Sequence, residues 1–383
     1  MDLELTDVQQ ELGATLGRLL KGKYDAESRE AIRTSDAGWS EDMWNQFAEL
    51  GLMSLPFAEE HGGAGMSFAE VAVVMEAFGR ALVLEPYLPT VILGGGLVDI
   101  AGTDEQKSEI LPGVAAGETR MAFAAQEPGS FYDVTAPQTK AVGSGQVQIS
   151  GEKSNVVGGA QAHTFVVTAQ SEQGLALYLV QADAQGVTVD QRTQADGLSS
   201  AHVKFDSAPA TQLGTVVGQD AQDAVQRVLD IANAALASEA VGAMEVSLKM
   251  TAEYLKTREQ FGAPIGVNQV LQHRASDLYA ALEFAKSMAL YAKLAITQDP
   301  DGTSETRHRD VLAAKYVIDD TARLISQESI QMHGGIGMTM EYPIGHYAKR
   351  LTVIPRTFDS KEEVTRELSA LGGLIKPEAA DLK

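Results

Sequence analysis

The hydrophobic period of this chain changes twice, and each change separates parts that must fold differently. Up to about Gly117 the apolar residues recur at helical spacing. Between Met121 and Leu213 they alternate in short β-branched runs, which is typical of strands. After Gly218 helical spacing returns in three long stretches: 221–257, 270–296 and 308–332. The pattern predicts an α+β multidomain protein with helical, β and helical parts in that order.

Sequence signals for helix starts fall in the first part. Three Ser/Thr-x-x-Glu/Gln capping boxes are present: Thr6–Gln9, Ser67–Glu70 and Thr103–Gln106. The most apolar window, 81–102, is interrupted by Glu85, Pro86 and Pro89, which favours a helix, a turn and a helix inside a protein over a membrane span. We therefore expect an N-terminal helical domain over 1–118, a middle β domain over 119–215, and a C-terminal four-helix bundle over 216–383.

Composition excludes several kinds of partner. The 383 residues include 52 acidic and 30 basic side chains, a net charge of -22 that repels both nucleic acid and an anionic bilayer. Without cysteine, the chain has no disulfide and no thiolate nucleophile. The N-terminus lacks the basic-then-apolar pattern of a signal peptide, so we expect a cytoplasmic protein. His333 has no partner at metal-ligand spacing, and we expect no metal site.

One polar cluster lies at the end of a long predicted helix. It reads Thr257-Arg-Glu-Gln-Phe-Gly262, and Gln269 follows at the start of the next helix. The guanidinium of Arg258 can pair with a phosphate, Phe261 can cover a flat ring, and a helix start favours an anion. A simpler alternative is that Gly262 caps the helix and Arg258 favours its dipole.

A second cluster, Gln331-Met-His-Gly-Gly-Ile-Gly337, ends another predicted helix. One glycine is enough to end a helix, so the additional ones indicate close approach of another group to the backbone. A Rossmann motif does not fit, because no strand precedes these glycines.

Both clusters resemble motifs of the acyl-CoA dehydrogenase family, an R-x-x-F-G turn followed by Gln and a Q-x-x-G-G-x-G segment. The resemblance implies a fold of N-terminal helices, a middle β domain and a C-terminal helical bundle. It also implies FAD as cofactor, with the adenylate side of a neighbouring subunit's FAD held by these residues: Arg258, Phe261, Gln269, Gln331, Gly334 and Gly335.

The resemblance weakens where the family holds the flavin ring. Glu127-Pro-Gly matches the family's T-E-P-G, but Gln126 replaces the threonine and Tyr132 replaces the serine that follows in the family. The segment from Gly151 follows G-T-K-x-W-I-T, with Asn155 and Val157 in place of the tryptophan and the last threonine. Losing a stacking aromatic and a hydroxyl donor implies an incomplete ring site.

The family's catalytic glutamate is also missing. Its two known positions correspond to Arg356 and Ala232, and neither side chain can accept a proton. The chain resembles small subunits of bacterial pimeloyl-CoA dehydrogenase and the heteromeric enzymes of steroid side-chain breakdown. The resemblance implies α,β-dehydrogenation of an acyl-CoA with a related subunit that supplies the base, and electron-transfer flavoprotein as acceptor. Two alternatives stay open: an autonomous homomeric dehydrogenase with a non-standard base, for which Asp359 comes into reach if the alignment slips by three residues, and a non-catalytic acyl-CoA binding scaffold.

Overall fold

The computed structural model describes residues 4–130, 133–143, 147–304 and 306–372. Its order of helices, strands and helices confirms the predicted α+β fold class. By internal contacts the chain divides into two compact units. The C-terminal unit comprises Met1–Ala26, Ala72–Leu82 and Asn233–Lys383, and the sheet unit comprises Glu27–Val71 and Val83–Ala232.

Short helices precede the sheet. They are α1 (Asp7–Lys21), α2 (Ala26–Arg33), α3 (Glu41–Glu49), α4 (Phe68–Ala81), α5 (Gly96–Ala101) and α6 (Asp104–Ala115). Both halves of the predicted capping box form at the starts of α1 and α6. At α4 only one half forms as predicted: the Ser67 N–H donates to Glu70 Oε2 at 3.0 Å, but the Ser67 hydroxyl accepts from the Ala69 N–H at 3.1 Å.

The apolar window 81–102 is a buried element of the protein, as predicted. After α4 ends at Ala81, a turn leads into a π-helical segment, Leu88–Gly95, which continues directly into α5. Every residue of the π-helical segment is buried. Among the helices of the described ranges, none combines the length and apolarity needed to cross a bilayer.

The sheet unit contains a closed ring of hydrogen-bonded strands. Its strands are β1 (Met121–Ala124), β2 (Lys140–Val142), β3 (Val147–Val157), β4 (Thr164–Ser171), β5 (Gly174–Gln181), β6 (Val187–Thr193) and β7 (Ser199–Val217). The pairing runs β4–β2–β3–β7–β5 and returns to β4, with β1 added parallel to β4 and β6 antiparallel to β7. Phe165 and Phe205 pack edge to face in its core, with ring centroids 6.3 Å apart.

Long helices form the C-terminal part: α7 (Gln219–Thr257), α8 (Gln269–Gln298), α9 (Arg307–His333), α10 (Ile344–Val353) and α11 (Lys361–Ala370). A two-strand hairpin, β8 (Glu259–Gln260) and β9 (Ala263–Pro264), joins α7 to α8. α8 buries a stripe at helical spacing: Leu278, Leu282, Ala285, Ala289, Ala292 and Ile296. α4 and α7 cross closely at Gly79, where an added Cβ would lie 1.9 Å from the Glu239 carbonyl oxygen.

Candidate functional site

The first cluster forms the hairpin between α7 and α8, which corrects the expectation that Gly262 could cap α7. α7 ends at Thr257, and Phe261 and Gly262 form the hairpin turn, with φ of 56° and 82°. Two positive φ values at the centre of a two-residue loop define a type I′ turn, which glycine adopts freely and phenylalanine does not. The turn holds the Phe261 side chain completely exposed, at 107% of its reference area. An aromatic presented in this way is available to another molecule.

Three polar side chains of the two clusters are exposed and unengaged. Within the described part of the chain, nothing forms a side-chain hydrogen bond or ion pair with Arg258, Gln269 or Gln331. Neighbouring amides differ, because Asn268 donates to the Ile265 carbonyl and Gln272 to the Gly266 carbonyl, each at 2.8 Å. α8 begins at Gln269 without a side-chain cap, so its first-turn N–H groups favour an anion.

The glycines of the second cluster lie at the end of α9. Gly334 has φ 64° and ψ -140°, a conformation that requires glycine. A Cβ added at Gly334 or Gly335 would meet no atom of the described chain within 4 Å, whereas one at Gly337 would lie 3.0 Å from the His333 Cβ. Gly334 and Gly335 therefore border open space in which a ligand can approach the backbone.

A stack of rings joins the two clusters. Tyr254, one helical turn before Arg258, stacks on His333 with centroids 4.5 Å apart and planes at 26°. The Tyr342 ring also lies beside His333, with centroids 5.1 Å apart and planes at 50°. The Tyr254 carbonyl also accepts the Arg258 N–H at 2.8 Å. The fold thus brings the Arg258 segment beside the Gln331 segment, and Tyr254 and Tyr342 are contributors that the sequence motifs did not indicate.

His333 is buried in this stack. Its Nδ1–H donates to the Ser329 carbonyl at 2.7 Å, and Nε2 has no hydrogen-bond partner among the described residues. Burial lowers the pKa of His333 below its usual value, against the raising effect of the Ser329 bond. This agrees with its interpretation as a helix-terminal histidine, and no group of three or more metal-ligating side chains occurs in the described ranges.

A buried ion pair joins the two weakened motifs of the sheet unit. Lys153 Nζ lies 2.8 Å from Glu127 Oε1, and it also donates to the Ala125 carbonyl and the Thr168 hydroxyl. Burial works to raise the pKa of Glu127, but hydrogen bonds from Lys153 and Thr139 hold that pKa below its usual range. Burial also lowers the pKa of Lys153 to about 8, although Glu127 opposes this.

Of the four substituted positions of the ring motifs, Tyr132 lies outside the described residues, and Gln126 and Asn155 are hydrogen-bonded to each other. Asn155 Nδ2 donates to Gln126 Oε1 at 3.4 Å, and Gln194 Nε2 donates to Asn155 Oδ1 at 3.0 Å. Asn155 has φ 50°, a conformation that asparagine tolerates better than most residues. Val157 is half-buried and brings no hydroxyl. A chain of three amides occupies this edge, and it offers no aromatic surface to stack on a flavin ring.

Neither of the two family positions for the catalytic base holds a carboxylate, and the nearby carboxylates are engaged by other side chains. Ala232 is fully buried in α7, and Arg356 is exposed after α10 with no described side chain paired to it. Glu239, two turns after Ala232, is engaged by Arg350 through bonds of 2.6 and 2.7 Å and cannot act as a free base. Asp359 accepts a hydrogen bond from Asn233, and burial raises its pKa against the opposing charge of Lys315.

Fold and family models together define the class of protein. The helical, β and helical order is that of flavin-dependent dehydrogenases of acyl thioesters. Models of the N-terminal, middle and C-terminal domains of acyl-CoA dehydrogenase match residues 6–118, 122–208 and 222–370. The chain belongs to the acyl-CoA dehydrogenase family, whose members are FAD-dependent oxidoreductases.

Particular relatives are similar over nearly their full length. The probable acyl-CoA dehydrogenase YngJ of Bacillus subtilis is 28% identical over 90% of this chain and 92% of its own. A variant of the Tcur3481-Tcur3483 steroid ACAD is 30% identical with a TM-score of 0.86, covering 95% of this chain and 97% of that one. A structure described as the electron transferring flavoprotein of Acidaminococcus fermentans is 25% identical with a TM-score of 0.87, covering 96% and 98%.

Proposed function

We propose that the chain is one subunit of a hetero-oligomeric acyl-CoA dehydrogenase. It contributes contacts to the adenylate side of FAD, while a related subunit supplies the glutamate base and the cradle of the flavin ring. One observation carries this proposal: the two clusters offer ligand contacts, but the chain has no base. The side chains of Arg258, Gln269 and Gln331 are exposed, and Gly334 and Gly335 border open space. At the two family positions for the base stand Arg356 and Ala232, and neither is a carboxylate.

The residues present fit the adenylate part of the cofactor. Arg258 offers a planar guanidinium for pyrophosphate, and the first turn of α8 adds N–H groups beside Gln269. Phe261 offers an apolar face, and Gly335 leaves room for close approach. When bound, FAD supplies the acceptor for a hydride from the β-carbon of the acyl thioester.

The sheet unit supports a divided site. Gln126 and Asn155 replace the family's hydroxyl and aromatic and are hydrogen-bonded together. The similar Tcur3481-Tcur3483 steroid ACAD is named for two proteins and for a steroid, which supports a two-chain assembly and a steroid acyl-CoA as substrate. The flavoprotein relative supports electron-transfer flavoprotein as the partner that receives the electrons.

A second candidate function is an autonomous homomeric dehydrogenase with Asp359 as base. It is favoured by the raised pKa of this carboxyl group, since a base poised nearer neutrality transfers protons efficiently. Against this function, the Asp359 carboxylate accepts a hydrogen bond from Asn233 and is attracted by the charge of Lys315. Both interactions hold the carboxylate within the C-terminal unit.

The absorbance spectrum of the chain, purified alone and after co-expression with its related subunit, separates these functions. We expect little flavin absorbance for the chain alone and full flavin absorbance for the complex. Full flavin content and turnover in the lone chain would support the homomeric enzyme. A colourless complex would contradict both and leave a scaffold without flavin.

Arg258→Ala tests the contact assignment within that complex. Losing a charge-assisted hydrogen bond costs about 1.5 to 3 kcal/mol, so FAD retention should fall by roughly 10- to 100-fold. Lys256→Ala is the matched control, because Lys256 is an exposed cation two residues away that pairs with Glu253 at 2.8 Å. Equal retention in the two variants would count against a phosphate contact at Arg258.

A further inference from the structure

A stack of two rings, Tyr254 and His333, connects the helices that carry the two clusters. Tyr254 belongs to α7, which carries Arg258, and His333 is the last residue of α9, directly before Gly334. The backbone bond from Arg258 to Tyr254 and the close packing of Gly337 on the His333 Cβ fix both ends of this contact. The stacked rings therefore connect the end of α7 to the end of α9.

We propose that His333 is a positioning residue that couples the Arg258 segment to the Gln331 segment, so that the two bind one FAD adenylate cooperatively. This inference rests on the proposed function, because it assumes that both segments contact the same cofactor. His333 itself does not touch the ligand, since its ring is 4% exposed and enclosed by Tyr254 and Tyr342.

The histidine ring combines two properties that this position uses. Its flat face stacks on Tyr254, and its Nδ1–H anchors the ring to the Ser329 carbonyl one turn back in α9. The stack sets the distance between α7 and the end of α9, and the anchor fixes the orientation of the ring. Phenylalanine preserves the first property and asparagine preserves the second.

Coupling predicts a specific dependence between ligand contacts. If the stack holds Arg258 and Gln331 in position, losing the contact of one residue with FAD also weakens the contact of the other. The effects of Arg258→Ala and Gln331→Ala on FAD binding should then be non-multiplicative in the wild-type background. In a His333→Ala background, the two segments move independently and the same two losses should multiply.

The test measures the Kd for FAD after stripping and reconstituting the complex purified with the related subunit. We expect His333→Phe to bind FAD within about twofold of wild type, and His333→Asn to weaken binding by roughly three- to tenfold, the scale of one stacked aromatic contact. His202→Asn, a substitution of the same kind in β7, is the control and should change nothing. Thermal melts of each variant distinguish unfolding of the protein from a change in the relative position of the two segments.

The outcomes distinguish this inference from the function beneath it. A wild-type complex that takes up no FAD contradicts the proposed function and the coupling with it. A wild-type complex that binds FAD, with His333→Phe and His333→Asn equally weakened, contradicts the coupling alone. Multiplicative losses for Arg258→Ala and Gln331→Ala in wild type also overturn it, whereas non-multiplicative losses that disappear in His333→Ala support it.

Discussion

At the scale of single residues, Gly334 and Gly335 are adjacent but are glycines for different reasons. Gly334 ends α9 with a positive φ that side chains rarely adopt. Gly335 does not have a positive φ, and a Cβ there would meet no described atom within 4 Å. Nothing within the described chain explains the missing side chain at 335, and the proposed approach of FAD to this turn would supply a reason.

Gly335→Val should leave the folding of the chain unchanged and remove flavin from the complex. An exposed substitution without strain changes stability by about 0.5 kcal/mol or less, while the new side chain would block approach of the cofactor to the turn. Denaturant midpoints and flavin absorbance measure the two effects. Gly22→Val, also with no atom near its added Cβ and no positive φ, serves as control. Full flavin retention in Gly335→Val would falsify the assignment of this turn.

The Glu127–Lys153 pair is another residue-scale test. Lys153→Met would leave the carboxylate of Glu127 buried without its cation, at a cost of about 3 to 5 kcal/mol. We expect the denaturant midpoint of the sheet unit to fall, and the double variant Glu127→Gln with Lys153→Met to recover part of the loss. If the single and double variants unfold at the same midpoint, the pair does not stabilise the sheet unit.

At the scale of elements, periodicity predicted the long helices well because a buried stripe persists over many turns. The stretch predicted over 221–257 is α7 (Gln219–Thr257), and the stretch over 270–296 is α8 (Gln269–Gln298). The β8–β9 hairpin was not predictable, since two-residue strands have no period and Phe-Gly is an unusual type I′ pair. The π-helical segment Leu88–Gly95 and the amide chain through Asn155 depend on packing that a single sequence does not reveal.

The candidate site likewise contains residues that the sequence indicated and residues that it did not. Arg258, Gln269 and Gln331 stood out because short motifs contain them, whereas Tyr254 and Tyr342 join the site only through the stack on His333. The one available signal was the spacing of Tyr254, four residues before Arg258 and therefore on the same helical face. Long-range pairs such as Glu127 with Lys153 require the sheet register to be known.

α11 combines one buried side chain with ionic contacts to α9. Val364 is its only buried residue within the described part of the chain. His308 Nε2 lies 2.9 Å from Glu367 Oε1, and Lys361 Nζ lies 2.6 Å from Asp320 Oδ1. The hydrogen bond from His308 lowers the pKa of Glu367, and burial only partly opposes it. The docking of this helix should therefore depend on pH.

Acid should release α11 before the rest of the C-terminal unit. Because the folded-state pKa of Glu367 lies below its usual 4.5, the stabilisation that comes from ionising this carboxyl group is present above pH 4.5 and is lost as pH falls through the lowered value. Hydrogen exchange of Lys361–Ala370 should accelerate in that range, and His308→Gln should shift the onset to higher pH. Arg366→Gln is a control outside the His308 contact, since Arg366 pairs with Glu363 at 3.1 Å. An identical onset in His308→Gln would exclude the proposed contact.

At the scale of the whole molecule, exposed apolar side chains are unevenly distributed. In the described residues, those of the sheet unit are Leu50, Met66 and Val142. The C-terminal unit exposes many more, including Phe261 at the hairpin tip and Met338, 76% exposed, in the turn after α9. Exposed apolar side chains mark a site of association where they form a contiguous patch. The proposed hetero-oligomer would supply the chain that covers it.

The assembly makes a prediction about turnover: the lone chain should not oxidise acyl-CoA, and activity should appear only with a related subunit carrying glutamate at the position of Arg356 or Ala232. A guanidinium stays protonated at any working pH, and the methyl group of alanine accepts no proton. Ferricenium-coupled oxidation of acyl-CoA measures both preparations. Asp359→Asn should leave the reconstituted complex active, because the base then belongs to the partner. Robust oxidation by the lone wild-type chain, abolished in Asp359→Asn, would instead establish Asp359 as the base of a homomeric enzyme.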